Sequence, residues 1–185
     1  MEYITSSDFH FKDTAVALGK FEGIHRGHQL LMDEVKKQEL HGLRSVVFTF
    51  DRPTRLTLTG DTEYKQIYTK KERREILEKR GIDILIEHPF TKEFAALTPD
   101  RFIREVLVEK VGAKVIVVGT DFHFGKNRSG SITDLEKLEE ECGYHLIVVE
   151  KLQLNGKDIS STRIRASLEK GANGRSQSSL RQKLQ

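Results

Sequence analysis

With 185 residues, of which 37% are hydrophobic and 32% charged, the chain has the size and balance of one α/β domain that buries a core without disulfides or a structural metal. A net charge of +3, with acidic and basic residues well mixed, argues against nucleic acid as the main partner. No apolar run reaches membrane-spanning length and the N-terminus lacks the basic and apolar regions of a signal peptide, so no membrane partner and a cytoplasmic location are expected.

In chain order, residues 2–6 read as an edge strand, and 14–18 as a short, apolar, buried one. Then comes the stretch that organises the chain, Gly19-Lys20-Phe21-Glu22-Gly23-Ile24-His25-Arg26-Gly27-His28. Leu30, Leu31, Val35 and Leu40 recur near helical spacing after it, so a helix is expected to begin near Arg26 and run to about Leu40. Glycines at 19, 23 and 27 are expected to let the backbone turn sharply beside a ligand, while the helix start aims unpaired amides at the same place. His25 and His28 share one face there and offer ring N–H donors, which reads as a phosphate site.

Gly42 ends this helix and residues 43–50 form the next strand. The segment from 51 to 67 is too long for a simple connection, and such loops at strand ends commonly carry binding function. Thr69 and Glu72 have the spacing of a capping box for a helix ending at Gly81, and residues 82–86 form the third main strand. A helix opens at Thr98-Pro99-Asp100 and ends at Gly112, with Phe102, Ile103, Val106 and Leu107 as its buried stripe. Residues 114–119 are continuous and β-branched, as a central parallel strand should be. Thr133 and Glu136 are expected to box the next helix, which runs to Cys142 and stops at Gly143, and 145–150 is the last strand. The one cysteine, Cys142, is expected to pack rather than react. Alternating strands and helices imply a doubly wound parallel sheet, a Rossmann-like α/β fold with its sites at the carboxyl edge.

Ile159-Ser160-Ser161-Thr162-Arg163-Ile164-Arg165 follows a turn at Asn155-Gly156 and opens a further helix. One of Ser160, Ser161 and Thr162 serves as its cap. Arg165 lies on the face of Ser161 and Thr162, and a cation at the positive end of a helix calls for an anion between them. The boundaries read as one domain over 1–170 and a disordered, basic, polar tail over 171–185.

The first motif resembles the H-x-G-H signature of nucleotidylyltransferases. Residues 159–165 resemble the I-S-S-T-x-I-R segment of the adenylyltransferase module of prokaryotic FAD synthetases, and 19–28 resembles that family's G-x-F-D-G-x-H-x-G-H. Residues 117–130, Val-Val-Gly-Thr-Asp-Phe-His-Phe-Gly-Lys-Asn-Arg-Ser-Gly, resemble its V-V-G-x-D-F-x-F-G-x-x-R-x-G. Glu22 stands where the family has aspartate, and 49–54 lacks the histidine and one proline of T-F-x-P-H-P. The resemblance implies an FMN adenylyltransferase that makes FAD from FMN and ATP with Mg²⁺ held through phosphates and water, and no dedicated protein metal site. It implies catalytic roles for His25, His28 and Arg165. ATP contacts are implied at Gly19, Phe21, Gly23, His25, His28, Ser160, Ser161, Thr162 and Arg165, and flavin contacts at Phe50, Asp121, Phe122 and Phe124. Residues 171–185 show none of the strand pattern of the kinase barrel that follows in bifunctional members, so no riboflavin kinase activity is expected here. The readings set beside this one are a nucleotidylyltransferase with another phosphorylated acceptor and a flavin- or nucleotide-binding module without turnover.

Overall fold

A computed structural model describes residues 1–52, 67–150, 153–154 and 157–158. Six parallel strands form one sheet in the order β1-β4-β3-β2-β5-β6, where β1 is Glu2–Ile4, β2 Thr14–Leu18, β3 Arg44–Phe50, β4 Ile84–His88, β5 Ala113–Gly119 and β6 His145–Val149. The chain lays β3 and β4 successively to one side of β2, then crosses to place β5 on the other. The crevice between β2 and β5 is therefore a topological switch point, where open parallel sheets bind their ligands.

Side-chain alternation builds two cores. Val16, Leu18, Val46, Phe48, Ile84, Ile86, Ile116 and Val118 face one layer, with Phe102, Ile103, Val106, Leu107 and Leu135 packed on them. Ala15, Ala17, Val47, Leu85, Val115 and Val117 face the other, under Leu31, Met32, Val35 and Leu77. The alanines of β2 leave room for the helix that follows it, α1 (Arg26–Lys37), to lie close on the sheet.

Several boundaries differ from the sequence reading. The chain tightens into a 3₁₀ turn over Gln38–His41 after α1, which turns Leu40 out to 88% exposure while Met32 takes a place in the core. The strand expected over 82–86 lies at Ile84–His88, because Asp83 is occupied with the Ser45 N–H at 2.8 Å and hydroxyl at 2.9 Å, and Glu87 and His88 are buried. α2 (Lys70–Lys79) has the expected Thr69 and Glu72 box, with the Glu72 N–H donating to Thr69 Oγ1 at 3.2 Å. A short helix, α3 (Lys92–Ala95), precedes α4, which starts at Pro99–Arg101 and continues as a π-helix over Phe102–Lys110. Its predicted stripe of Phe102, Ile103, Val106 and Leu107 is buried throughout.

The box of α5 (Ile132–Cys142) is formed by Ser131 and Asp134, not Thr133 and Glu136. Gly130 bridges back to Phe124 and leaves Ser131 extended, and its N–H donates to Asp134 Oδ2 at 2.8 Å. Cys142 is half-buried against the core, with Arg104 Nη1 3.6 Å from its sulfur. Two short antiparallel strands, β7 (Gln153–Leu154) and β8 (Lys157–Asp158), flank the predicted Asn155-Gly156 turn. The boundary at 170 and the tail lie outside the described residues. Among the described residues no helix is long and apolar enough to cross a membrane.

Candidate functional site

The loop between β2 and α1 emerges at the carboxyl edge of the sheet beside the switch point. It is tied to β3 twice. The Gly19 N–H donates to the Phe48 carbonyl at 3.3 Å, and Thr49 Oγ1 donates to the Lys20 carbonyl at 2.9 Å. The residue that turns the chain with a positive φ is Phe21, at 44°, and its ring is fully buried. Gly19 and Gly27 serve by lacking a side chain. A Cβ on Gly19 would sit 3.1 Å from the Phe21 ring, and one on Gly27 would sit 3.2 Å from Cε1 and Nδ1 of His25. The glycines make space for rings, and Phe21 forms the floor beneath them.

On that floor the His25 and His28 rings stack with centroids 3.9 Å apart and planes 20° from parallel, and Phe21 lies 4.9 Å from His28. His25 is the N-cap of α1. Its Nδ1 accepts from the His28 N–H at 3.4 Å, which in the neutral ring leaves the proton on Nε2 as a donor. Burial lowers the His25 pKa from the ordinary 6.5, partly offset by the Asp121 carboxylate. Burial and then the His25 charge push His28 well below 6.5. Both rings are thus neutral donors at pH 7. The first turn of α1 contains no acidic residue, while Lys36 and Lys37 complement its far end, so its positive end is open to an anion.

The other expected residues divide between surface and core. Gly19 is half-exposed, Gly23 buried and Asp121 exposed. Asp121, expected on the flavin side, exerts its charge on His25 across the switch point. Phe50 ends β3 half-buried, its ring 4.7 Å from Phe90 and 5.8 Å from Phe94. Phe122 is half-buried and stacks on Phe124 at 5.5 Å, whereas Phe124 is itself core, 5.4 Å from Phe102 and fitted against Gly130. Phe122 is the more open of the pair. Ser160, Ser161, Thr162 and Arg165 lie outside the described residues, as does most of the 51–67 segment. The sequence reading missed Thr49, Arg73, Glu87, His88, Phe90 and Phe94 around the end of β3. A glutamate and a histidine closing the apolar run Ile-Leu-Ile-Glu-His were the available signal.

A doubly wound sheet with a paired-histidine loop capping a helix at its switch point defines an α/β protein of the nucleotidyltransferase class. The chain belongs to the FAD synthetase family, whose description it matches over residues 8–163. It is 30% identical over 158 residues to the bifunctional riboflavin kinase/FMN adenylyltransferase of Buchnera aphidicola, covering 84% of this chain and 51% of that protein. With the Listeria monocytogenes protein of the same name it shares 31% over 170 residues, covering 91% and 54%. The chain therefore spans about half the length of these two relatives. A crystal structure from Streptococcus pneumoniae titled as a macrolide-efflux protein superposes with a TM-score of 0.79 at 29% identity, covering 91% of this chain and 58% of that one.

Proposed function

We propose that this chain transfers AMP from ATP to FMN, giving FAD and pyrophosphate. The observation that carries the reading is the stacked His25 and His28 pair at the open positive end of α1, in a chain of the FAD synthetase family. The two relatives are named for two activities, and the adenylyltransferase is the one this pair serves. An FMN phosphate oxygen attacks the α-phosphorus of ATP, the bond from that phosphorus to the bridging oxygen breaks, and pyrophosphate leaves. The attacking phosphate is already ionised at neutral pH, so the site needs no strong base. It needs donors where charge accumulates on the triphosphate.

Neutral His25 supplies Nε2–H in an orientation fixed by its cap bond, and His28 stacks beside it. The α1 amides add partial positive charge. Arg165 is assigned by the sequence motif as the cation of the same site, with Ser160, Ser161 and Thr162 as further phosphate donors. Half-buried Phe50 and Phe122 are the aromatic surfaces assigned to the flavin. Among the described residues no group of three or more His, Cys, Asp or Glu could hold a metal. In this reading Mg²⁺ would arrive with the triphosphate and neutralise part of its charge.

The test is acceptor choice. The purified chain is given ATP and Mg²⁺ with FMN, riboflavin or an unrelated phosphorylated metabolite, and dinucleotide products are separated by chromatography. A product with FMN alone is expected. A product only with another phosphorylated acceptor would replace the reading, and nucleotide binding without any product would make the chain a binding module.

A further inference from the structure

The carboxyl end of β3 is fastened in two directions. Thr49 is 1% exposed, and its hydroxyl holds the Lys20 carbonyl of the nucleotide loop. The next residue, Phe50, offers its carbonyl to Arg73 Nη2 at 3.4 Å. Arg73 comes from α2. Its Nε donates to Glu87 Oε1 at 3.0 Å, and Nη2 donates to the same oxygen. Glu87 is wholly buried on β4, and its Oε2 accepts from the Tyr3 hydroxyl at 2.6 Å. One residue further on, the Asp51 N–H donates to the His88 carbonyl at 3.0 Å, and Asp51 Oδ1 accepts from the Phe90 N–H at 3.0 Å.

Burying an ion pair and a hydroxyl adds little stability over well-packed apolar side chains. What such groups do fix is geometry, here the placement of the Lys20 and Phe50 carbonyls. In-line transfer between two bound phosphates is sensitive to placement, and a misalignment of about 1 Å can cost roughly 10²-fold in rate. The geometry points to the end of β3 as the abutment that sets the donor loop against the acceptor side, with Thr49 a positioning residue for ATP and Arg73 a positioning residue for FMN. The assignment of the two sides rests on the adenylyltransferase reading.

Because the fastenings diverge from adjacent residues, their effects separate by substrate. Thr49→Val keeps the shape and removes the donor to Lys20, while Thr49→Ser keeps the donor. Arg73→Lys keeps a cation against Glu87 but lacks the fork that also reaches Phe50. The experiment measures KM and kcat for each substrate in the full chain, with hydrogen exchange of peptides covering 19–25 and 48–52. Thr49→Val should raise KM for ATP or lower kcat about tenfold, leave KM for FMN within about twofold and speed exchange in 19–25, with Thr49→Ser restoring the parent values. Arg73→Lys should raise KM for FMN about tenfold, leave KM for ATP within about twofold and speed exchange in 48–52. Equal effects on both substrates, no effect, or no rescue by serine would overturn the assignment. If the parent makes no FAD, the function reading fails on its own account. The exchange data then decide alone, with the crossed pattern supporting the abutment and a uniform or absent change refuting it.

Discussion

Adding one methyl group at Gly27 should separate stability from activity. Gly27 is the second residue of α1 and its φ is not positive, so alanine fits the backbone there and improves helix propensity by up to about 1 kcal/mol. The new Cβ would lie 3.2 Å from both Cε1 and Nδ1 of His25, so the ring must give by a few tenths of an ångström. That movement disturbs the cap bond from the His28 N–H and the 3.9 Å stack together. Catalytic groups need placement within about 0.5 Å, so a shift approaching that size should lower kcat by roughly tenfold or more. Thermal melting followed by circular dichroism and FAD formation followed by chromatography give the two readouts. Gly27→Ala should melt at or above the parent's temperature and turn over at about a tenth of its rate. Parent-like turnover would refute the claim that Gly27 exists to make room for His25.

Arg73→Met leaves fully buried Glu87 without its ion-pair partner and should destabilise by about 3–5 kcal/mol, or roughly 6–20 °C in Tm, with Arg73→Met/Glu87→Leu recovering most of the loss. His25, His28 and His88 are all held below 6.5 chiefly by burial. Between their folded and unfolded pKa values the unfolded chain binds more protons, so stability should fall as pH drops below about 6.5. Tm measured against pH should show a shallower fall for His28→Asn, and an unchanged slope would contradict the burial argument. Ser131→Ala should cost about 1 kcal/mol in urea unfolding and Thr133→Ala much less, because Ser131 is the cap.

Much of this fold is legible because strand and helix periods differ and the punctuation is strong. A short apolar run at 14–18 and the β-branched run within 114–119 mark buried parallel strands, and Gly42, Gly81, Gly112 and Gly143 each end an element with positive φ. The pairing of His25 with His28 is equally legible, since a spacing of three at a helix start places both rings together. Tertiary packing decides what local pattern cannot. Leu40 fits the helical period but falls in a 3₁₀ turn, and Ser131 and Thr133 both have acids three residues on, so the bridge to Phe124 selects the box. The loop glycines are expected to make the sharp turn, yet the residue with positive φ is Phe21, held by burial. Arg73 and Glu87 lie fourteen residues apart in a sequence rich in charge, and only the sheet order brings them to the same strand end.

The central claim is AMP transfer to FMN at the paired histidines, and the most direct measurement follows the α-phosphate. ATP labelled at the α-phosphorus is incubated with FMN, Mg²⁺ and the purified chain, with His28→Ala alongside. The account predicts label in FAD, unlabelled pyrophosphate in equal amount, and a rate lower by roughly 10²- to 10³-fold in the variant. Label remaining in ATP, or released as AMP without FAD, would contradict it.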